Sequence, residues 1–105
     1  MTIPTRLVVR ALLAHPTREL YGLEICAAAG LASGTIHPIL ARLERIGWLR
    51  SRWEDLDPHD AGRPRRRYYS LTADGAVSAR AALAKATAST GRLTGWRPGL
   101  SGGNA

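Results

Sequence analysis

Four arginines fall within residues 63–67, in the run Gly62-Arg63-Pro64-Arg65-Arg66-Arg67-Tyr68-Tyr69, the most basic stretch of the chain. A guanidinium is a planar, weakly hydrated fork that gives paired hydrogen bonds to phosphate and suits narrow grooves. The chemistry this run offers is the grip of a polyanion. Gly62 and Pro64 shape the run so that some of its side chains point the same way. Four acids just upstream, Glu54, Asp55, Asp57 and Asp60, cut the local field. Arg63, Arg65 and Arg66 are therefore the candidate phosphate contacts, and Arg67 is expected to be paired within the protein. Alternation sets Arg67, Tyr69 and Leu71 against Arg66, Tyr68 and Ser70, so Tyr69 and Leu71 read as core rather than as stacking groups.

A second group, Ser33, Thr35 and His37, offers short donors and acceptors of the kind that read base edges. Arg42, further along the same helix, is placed to reach a phosphate. Pro38 removes a backbone N–H from this segment. It reads either as a proline tolerated in opening turns or as a device that opens and bends the end facing a ligand. Catalysis finds no constellation: Ser, His and Asp residues occur without pairing by spacing, and His15, His37 and His59 form no ligand cluster. There is no phosphate-binding glycine loop. Cys26 is the one cysteine, which excludes an intramolecular disulfide and a cysteine-rich metal site. No enzyme activity, metal or cofactor is expected.

The elements that must position these groups can be read from period and punctuation. Pro4 and Thr5 precede a first helix, Arg6 to Ala14, which Pro16 stops. Arg18 to Leu20 suggests a very short strand. Tyr21 to Ala29 predicts a second helix, closed by Gly30 as a left-handed cap. Ser33 is the expected N-cap of a third helix, on which Ile36, Ile39, Leu40, Leu43 and Ile46 form one apolar stripe before Gly47 ends it. The period then changes to two: Leu49 and Trp53 share one face of a strand, Arg50 and Arg52 the other. Asp57, Pro58, Asp60, Gly62 and Pro64 make a loop, and residues 66–71 return as the partner strand. Thr72 caps an Ala-rich helix from about Ala73 to Ser89, with Asp74 in its first turn.

Taking Gly30 as a turn glycine puts Ile25, Ala29, Leu31, Ile36 and Ile39 on inward positions and the small Cys26 at the point of closest approach. That is a helix-turn-helix pattern, and the hairpin downstream argues against a plain helical hairpin. The expected fold class is mainly α with a small β-hairpin wing, a winged helix-turn-helix. Residues 1–90 would form one DNA-binding and dimerisation domain, and 91–105 a Gly/Ser/Pro-rich tail. The chain has 105 residues, 45% of them apolar and none of them Phe, which allows one modest core of a size often completed by dimerising. The net charge of +7 fits a nucleic-acid partner. No stretch approaches the ~18 apolar residues a membrane helix requires, and no signal-peptide pattern is visible. A soluble, cytoplasmic protein is expected, with no membrane partner.

Three separated segments carry a resemblance. Tyr21-Gly22-Leu23-Glu24-Ile25, then Ser33-Gly34-Thr35-Ile36-His37-Pro38-Ile39-Leu40-Ala41-Arg42-Leu43-Glu44-Arg45-Ile46-Gly47-Trp48-Leu49, then Gly62 through Gly75 resemble the PadR family of transcriptional regulators. The likeness runs from about Leu7 to Ala86 and matches the shorter subfamily with a single C-terminal helix. It implies a homodimer that binds operator double-stranded DNA, usually as a repressor, with the third helix and wing on DNA and the terminal helices building the dimer. The family usually carries Tyr where this chain has His37, so that contact can differ here. Some relatives respond to aromatic small molecules held between subunits. Trp96 in the tail has two readings, as part of such a site or, preferably, as packing on a partner helix. Val77 and Leu83 are the only large apolar residues of the last helix, so the first helix is expected to share the interface. The alternative to a sequence-specific regulator is a winged helix used for protein–protein contact, as an antirepressor or assembly factor, for which the acidic run Glu54 to Asp60 speaks.

Overall fold

The first helix, α1 (Ile3–Leu13), opens on Thr2, whose hydroxyl oxygen accepts from the Thr5 N–H at 3.3 Å. It begins three residues before Arg6, the predicted start, because a proline in the first turn has no N–H bond to lose there. A computed structural model of the chain describes residues 1–95, with side chains through residue 88. The remaining elements are β1 (Leu20–Tyr21), α2 (Gly22–Ala29), α3 (Ser33–Arg45), β2 (Leu49–Trp53), α4 (Pro58–Ala61), β3 (Arg67–Leu71) and α5 (Ala73–Gly95). The fold is mainly helical with a three-stranded antiparallel sheet in the order β1-β3-β2, a winged helix-turn-helix.

The apolar stripes meet in one core. Val8, Val9 and Leu12 of α1 pack with Ile25 of α2, with Ile36, Leu40 and Leu43 of α3, and with Leu49, Tyr69 and Ala79. Each large side chain fully buried in this way contributes about 1.5–3 kcal/mol. Two residues that share the right phase stay outside. Ile46 lies beyond the last turn of α3 and is 54% exposed, and Trp53 is 57% exposed at the far end of β2, past the edge of the helices.

Further boundaries differ from the sequence reading: β1 is Leu20–Tyr21 rather than Arg18 to Leu20, and α2 begins at Gly22 rather than Tyr21. The N-cap of α3 is Ala32, whose carbonyl accepts from Thr35 and Ile36, so the Ser33 hydroxyl is not a cap and faces solvent. The loop after β2 holds the short helix α4, because Asp57 accepts from the His59 N–H at 2.9 Å and Pro58 fills the first helical position. Finally α5 runs to Gly95, past Ser89, its predicted end, and past 90, the expected domain boundary. The high helix propensity of its alanines carries it through the Ser, Thr and Gly that follow. Trp96 and the rest of the expected tail lie outside the described residues.

Thr72 joins α5 to the sheet as predicted: its hydroxyl accepts from the Gly75 N–H at 2.8 Å and donates to the Gly47 carbonyl at 2.9 Å. Among the described residues no single helix is long and apolar enough to cross a membrane.

Candidate nucleic-acid interface

Helices α2 and α3 turn by 108° across Gly30-Leu31-Ala32. Gly30 has φ +70°, a conformation that glycine adopts without steric cost, and its N–H closes α2 on the Cys26 carbonyl at 2.8 Å. Ile25 and Ile36 are fully buried on the inner side, with Ala29 and Ile39 nearly so and Cys26 packed against the same core. The outer side of the first turns of α3 carries Ser33, Thr35, His37 and Pro38, all exposed. The His37 ring lies against the start of α2, where it would meet a side chain at Gly22 at 3.4 Å. Arg42 takes another direction. Its Nη2 donates to the Thr5 hydroxyl at 2.9 Å, and Thr5, only 5% exposed, also receives the Thr2 hydroxyl at 2.9 Å. Arg42 therefore ties α3 to α1.

The wing arginines divide into four distinct environments. Arg63 places both terminal nitrogens on the Glu54 carboxylate, at 2.7 and 3.0 Å, and Nη1 also reaches the Pro64 carbonyl at 3.2 Å. Arg65 is exposed, and its Nε donates to the Leu56 carbonyl at 2.8 Å. The Arg66 guanidinium stacks 4.2 Å from the Tyr21 ring centre, while its backbone N–H donates to Glu54 at 3.2 Å. Arg67 is paired, as its phase predicts, with Ser51 at 3.0 Å, Glu44 at 3.7 Å and the Trp53 ring at 5.2 Å. Among the upstream acids Glu54 is the one that meets this cluster. The Arg63 hydrogen bonds, helped by the Arg66 N–H and both positive charges against the cost of burial, hold its carboxyl down to about 2.

These pieces border one groove of about 470 Å³, with Ser33 and His37 of α3 on one wall, Arg63, Arg65 and Arg66 of the wing on the other, and Tyr21 between them. Of the residues singled out from sequence, Ser33, His37, Arg63, Arg65 and Arg66 line this groove, Thr35 and Pro38 lie exposed on the same end of α3 without lining it, and Arg42 is held toward α1. Sequence reasoning missed the outer face of the sheet. There Tyr21 meets Tyr68 edge to face at 5.8 Å, Arg52 stacks on Tyr68 at 5.1 Å, and Glu19 holds Arg52 by two hydrogen bonds of 2.6 and 2.7 Å. The Arg52 bonds lower the Glu19 carboxyl below the usual carboxylate range. Alternation already placed Tyr68 on the Arg66 face. What the sequence misplaces is the first strand, expected at Arg18 to Leu20 with Tyr21 in the helix: β1 is Leu20–Tyr21, and its pairing of Tyr21 opposite Tyr68 completes the stack.

An exposed polar helix end and a stacked, hydrogen-bonded arginine wall on one groove suit a nucleic acid: the first can read base edges, the second can meet phosphates. Known proteins agree. Residues 11–81 match the transcriptional regulator PadR-like family. Among curated proteins no sequence matches. A PadR family transcription regulator from Clostridium difficile R20291 superposes with a TM-score of 0.59 at 24% identity, over 89% of this chain and 91% of that one. BpsR of Bordetella bronchiseptica gives 0.63 at 20% identity, over 97% and 69%. The PcaV regulator of Streptomyces coelicolor gives 0.59 at 28% identity over 76% of this chain, which spans about half, 51%, of PcaV. With a winged helix-turn-helix, a basic groove and a family match over most of its length, the chain belongs to the PadR-like family of transcriptional regulators, DNA-binding proteins and not enzymes.

Proposed function

We propose that the chain is a sequence-specific repressor that binds an inverted-repeat operator as a homodimer in the cytoplasm. The observation that carries the reading is the groove in which Ser33 and His37, at the exposed end of α3 that also bears Thr35, stand beside Arg65 and Arg66 of the wing. The helix end supplies discrimination and the arginines supply affinity, since short neutral side chains hold DNA weakly. Residues 1–90 serve as the DNA-binding and dimerisation unit. Val77, Ala81, Ala84 and Ala88 lie exposed at helical spacing along α5, a face that favours close helix packing between subunits. Two-fold symmetry then sets half-sites about one helical turn apart.

The test is a fluorescence titration against the protein's own promoter, with random DNA as competitor, at ~150 mM salt. Specific regulation predicts tighter binding to the promoter; equal affinities would sink it, and no DNA binding together with a stable heteromeric complex would favour the protein–protein reading. Arg65→Ala is expected to weaken binding to every DNA and flatten the salt slope by about one unit. An unchanged slope would remove Arg65 from the phosphate contacts. Two fold relatives suggest an effector: PcaV was solved with its natural ligand, and BpsR has its DNA binding regulated by 6-hydroxynicotinic acid. On that basis an aromatic small molecule between subunits is the effector class for this chain. Tryptophan fluorescence that no planar aromatic changes would count against it.

A further inference from the structure

The wing contains its own anion. Glu54 Oε1 accepts from Arg63 Nη1 at 2.7 Å and from the Arg66 N–H at 3.2 Å, and Oε2 accepts from Arg63 Nη2 at 3.0 Å. Two parallel bonds to a guanidinium fork plus one backbone N–H is the donor set that a DNA phosphate takes. The Glu54 side chain is 16% exposed and that of Arg63 35% exposed, so the fork reaches the groove wall while the carboxylate sits behind it. The wing does not need this carboxylate for its course. The Glu54 N–H bonds the Arg66 carbonyl at 2.8 Å, the Arg63 N–H bonds the Pro58 carbonyl at 3.3 Å, and Arg65 braces Leu56.

We infer that Glu54 is a built-in phosphate competitor: it occupies the Arg63 fork and holds down the wing's affinity for DNA of any sequence, so that discrimination rests on the polar end of α3. A specific regulator gains from this, because non-specific binding is set almost wholly by phosphate contacts and competes with the operator along the whole genome. Of the two wing arginines that meet Glu54, Arg63 has its charge neutralised by the carboxylate, whereas Arg66, on the Tyr21 ring, donates only its backbone N–H and keeps its guanidinium hydrogen bonds for the groove. Glu54 acts through Arg63 and touches no DNA itself, which makes it a specificity-setting residue rather than a contact. The carboxyl, held at about 2, stays ionised at any physiological pH, so the competition is permanent and not a pH switch.

The inference rests on the DNA-binding reading, and the experiment separates the two. Glu54→Gln removes the charge and keeps an acceptor for one donor. Wild type, E54Q and the double variant E54Q/R63A are titrated with a random-sequence duplex and with the promoter across a salt series, after thermal melts establish that each is folded at the assay temperature. E54Q should bind random DNA more tightly, on the order of tenfold, with a salt slope steeper by about one unit per wing. Promoter-over-random preference should fall in the same variant. E54Q/R63A should return to the wild-type slope, since the released fork is then absent; a purely structural role for Glu54 would not produce that reversal. Weaker binding or an unchanged slope in folded E54Q overturns the proposal, as does E54Q failing to fold, which would make the charge a structural necessity. Wild type that binds neither duplex at any salt, with E54Q equally inert, overturns the DNA-binding reading as well.

Discussion

A methyl group at Gly75 would overlap the Trp48 carbonyl oxygen and lie 2.6 Å from the Trp48 Cα and 2.7 Å from the Thr72 hydroxyl. Backbone cannot yield as a flexible side chain can, so the start of α5 would have to lift from the β2 entrance. Gly75→Ala is expected to destabilise the fold by about 3 kcal/mol, with a melting temperature lower by ten degrees or more. A melt within two degrees of wild type would show that α5 can shift freely. Glu54 gives a second prediction at this scale. Its carboxyl is depressed from the ordinary 4.5 to about 2, so the stabilisation it supplies is fully present above the unfolded value and is lost as pH falls through the folded one. The difference in melting temperature between wild type and Glu54→Gln should be constant above pH 5 and shrink between pH 4.5 and 2. A difference that survives at pH 2 would mean the ion pair is not its source.

Among the elements, those with a sustained period were legible in sequence and those made by local hydrogen bonds were not. Ile36, Ile39, Leu40 and Leu43 gave α3 and its inward face directly, and the same residues are buried. The cap, by contrast, depends on which carbonyl meets the first free N–H groups, and Ala32 does so without a side-chain signal. The candidate site divides in the same way. The polar end of α3 and the basic run were visible as residue types, but which arginine is spent on Glu54 and which stacks on Tyr21 follows from distances that sequence spacing does not encode. Pro38 is where the element carries a local cost. It sits inside α3 with no N–H for the Gly34 carbonyl, directly after His37 of the groove wall. Pro38→Ala should raise stability by about 1–3 kcal/mol, lower the promoter-over-random preference, and leave the salt slope alone because no charge changes. Unaltered preference would leave the proline with no part in reading DNA.

At the scale of the whole molecule, α3, proposed to read DNA, is not free of α1, proposed to share the dimer interface. Arg42 of α3 bonds Thr5 of α1, and Thr5 is buried against Thr2, so α1 and α3 form one rigid unit around the shared core. A dimer built through α1 and α5 would therefore fix the distance between its two reading heads without a flexible joint, and operator spacing would follow from subunit geometry. The exposed face of α5 is the place to test this. An Ala→Glu change on an exposed helix costs a monomer at most about 0.5 kcal/mol, whereas an unpaired carboxylate buried between subunits is strongly unfavourable. Ala84→Glu should thus leave the melt of the isolated subunit nearly intact, convert the protein to a monomer by sedimentation, and reduce affinity for a full inverted repeat to that for a half-site. A variant that remains dimeric with full operator affinity would move the interface off this face and leave α1 to build it alone.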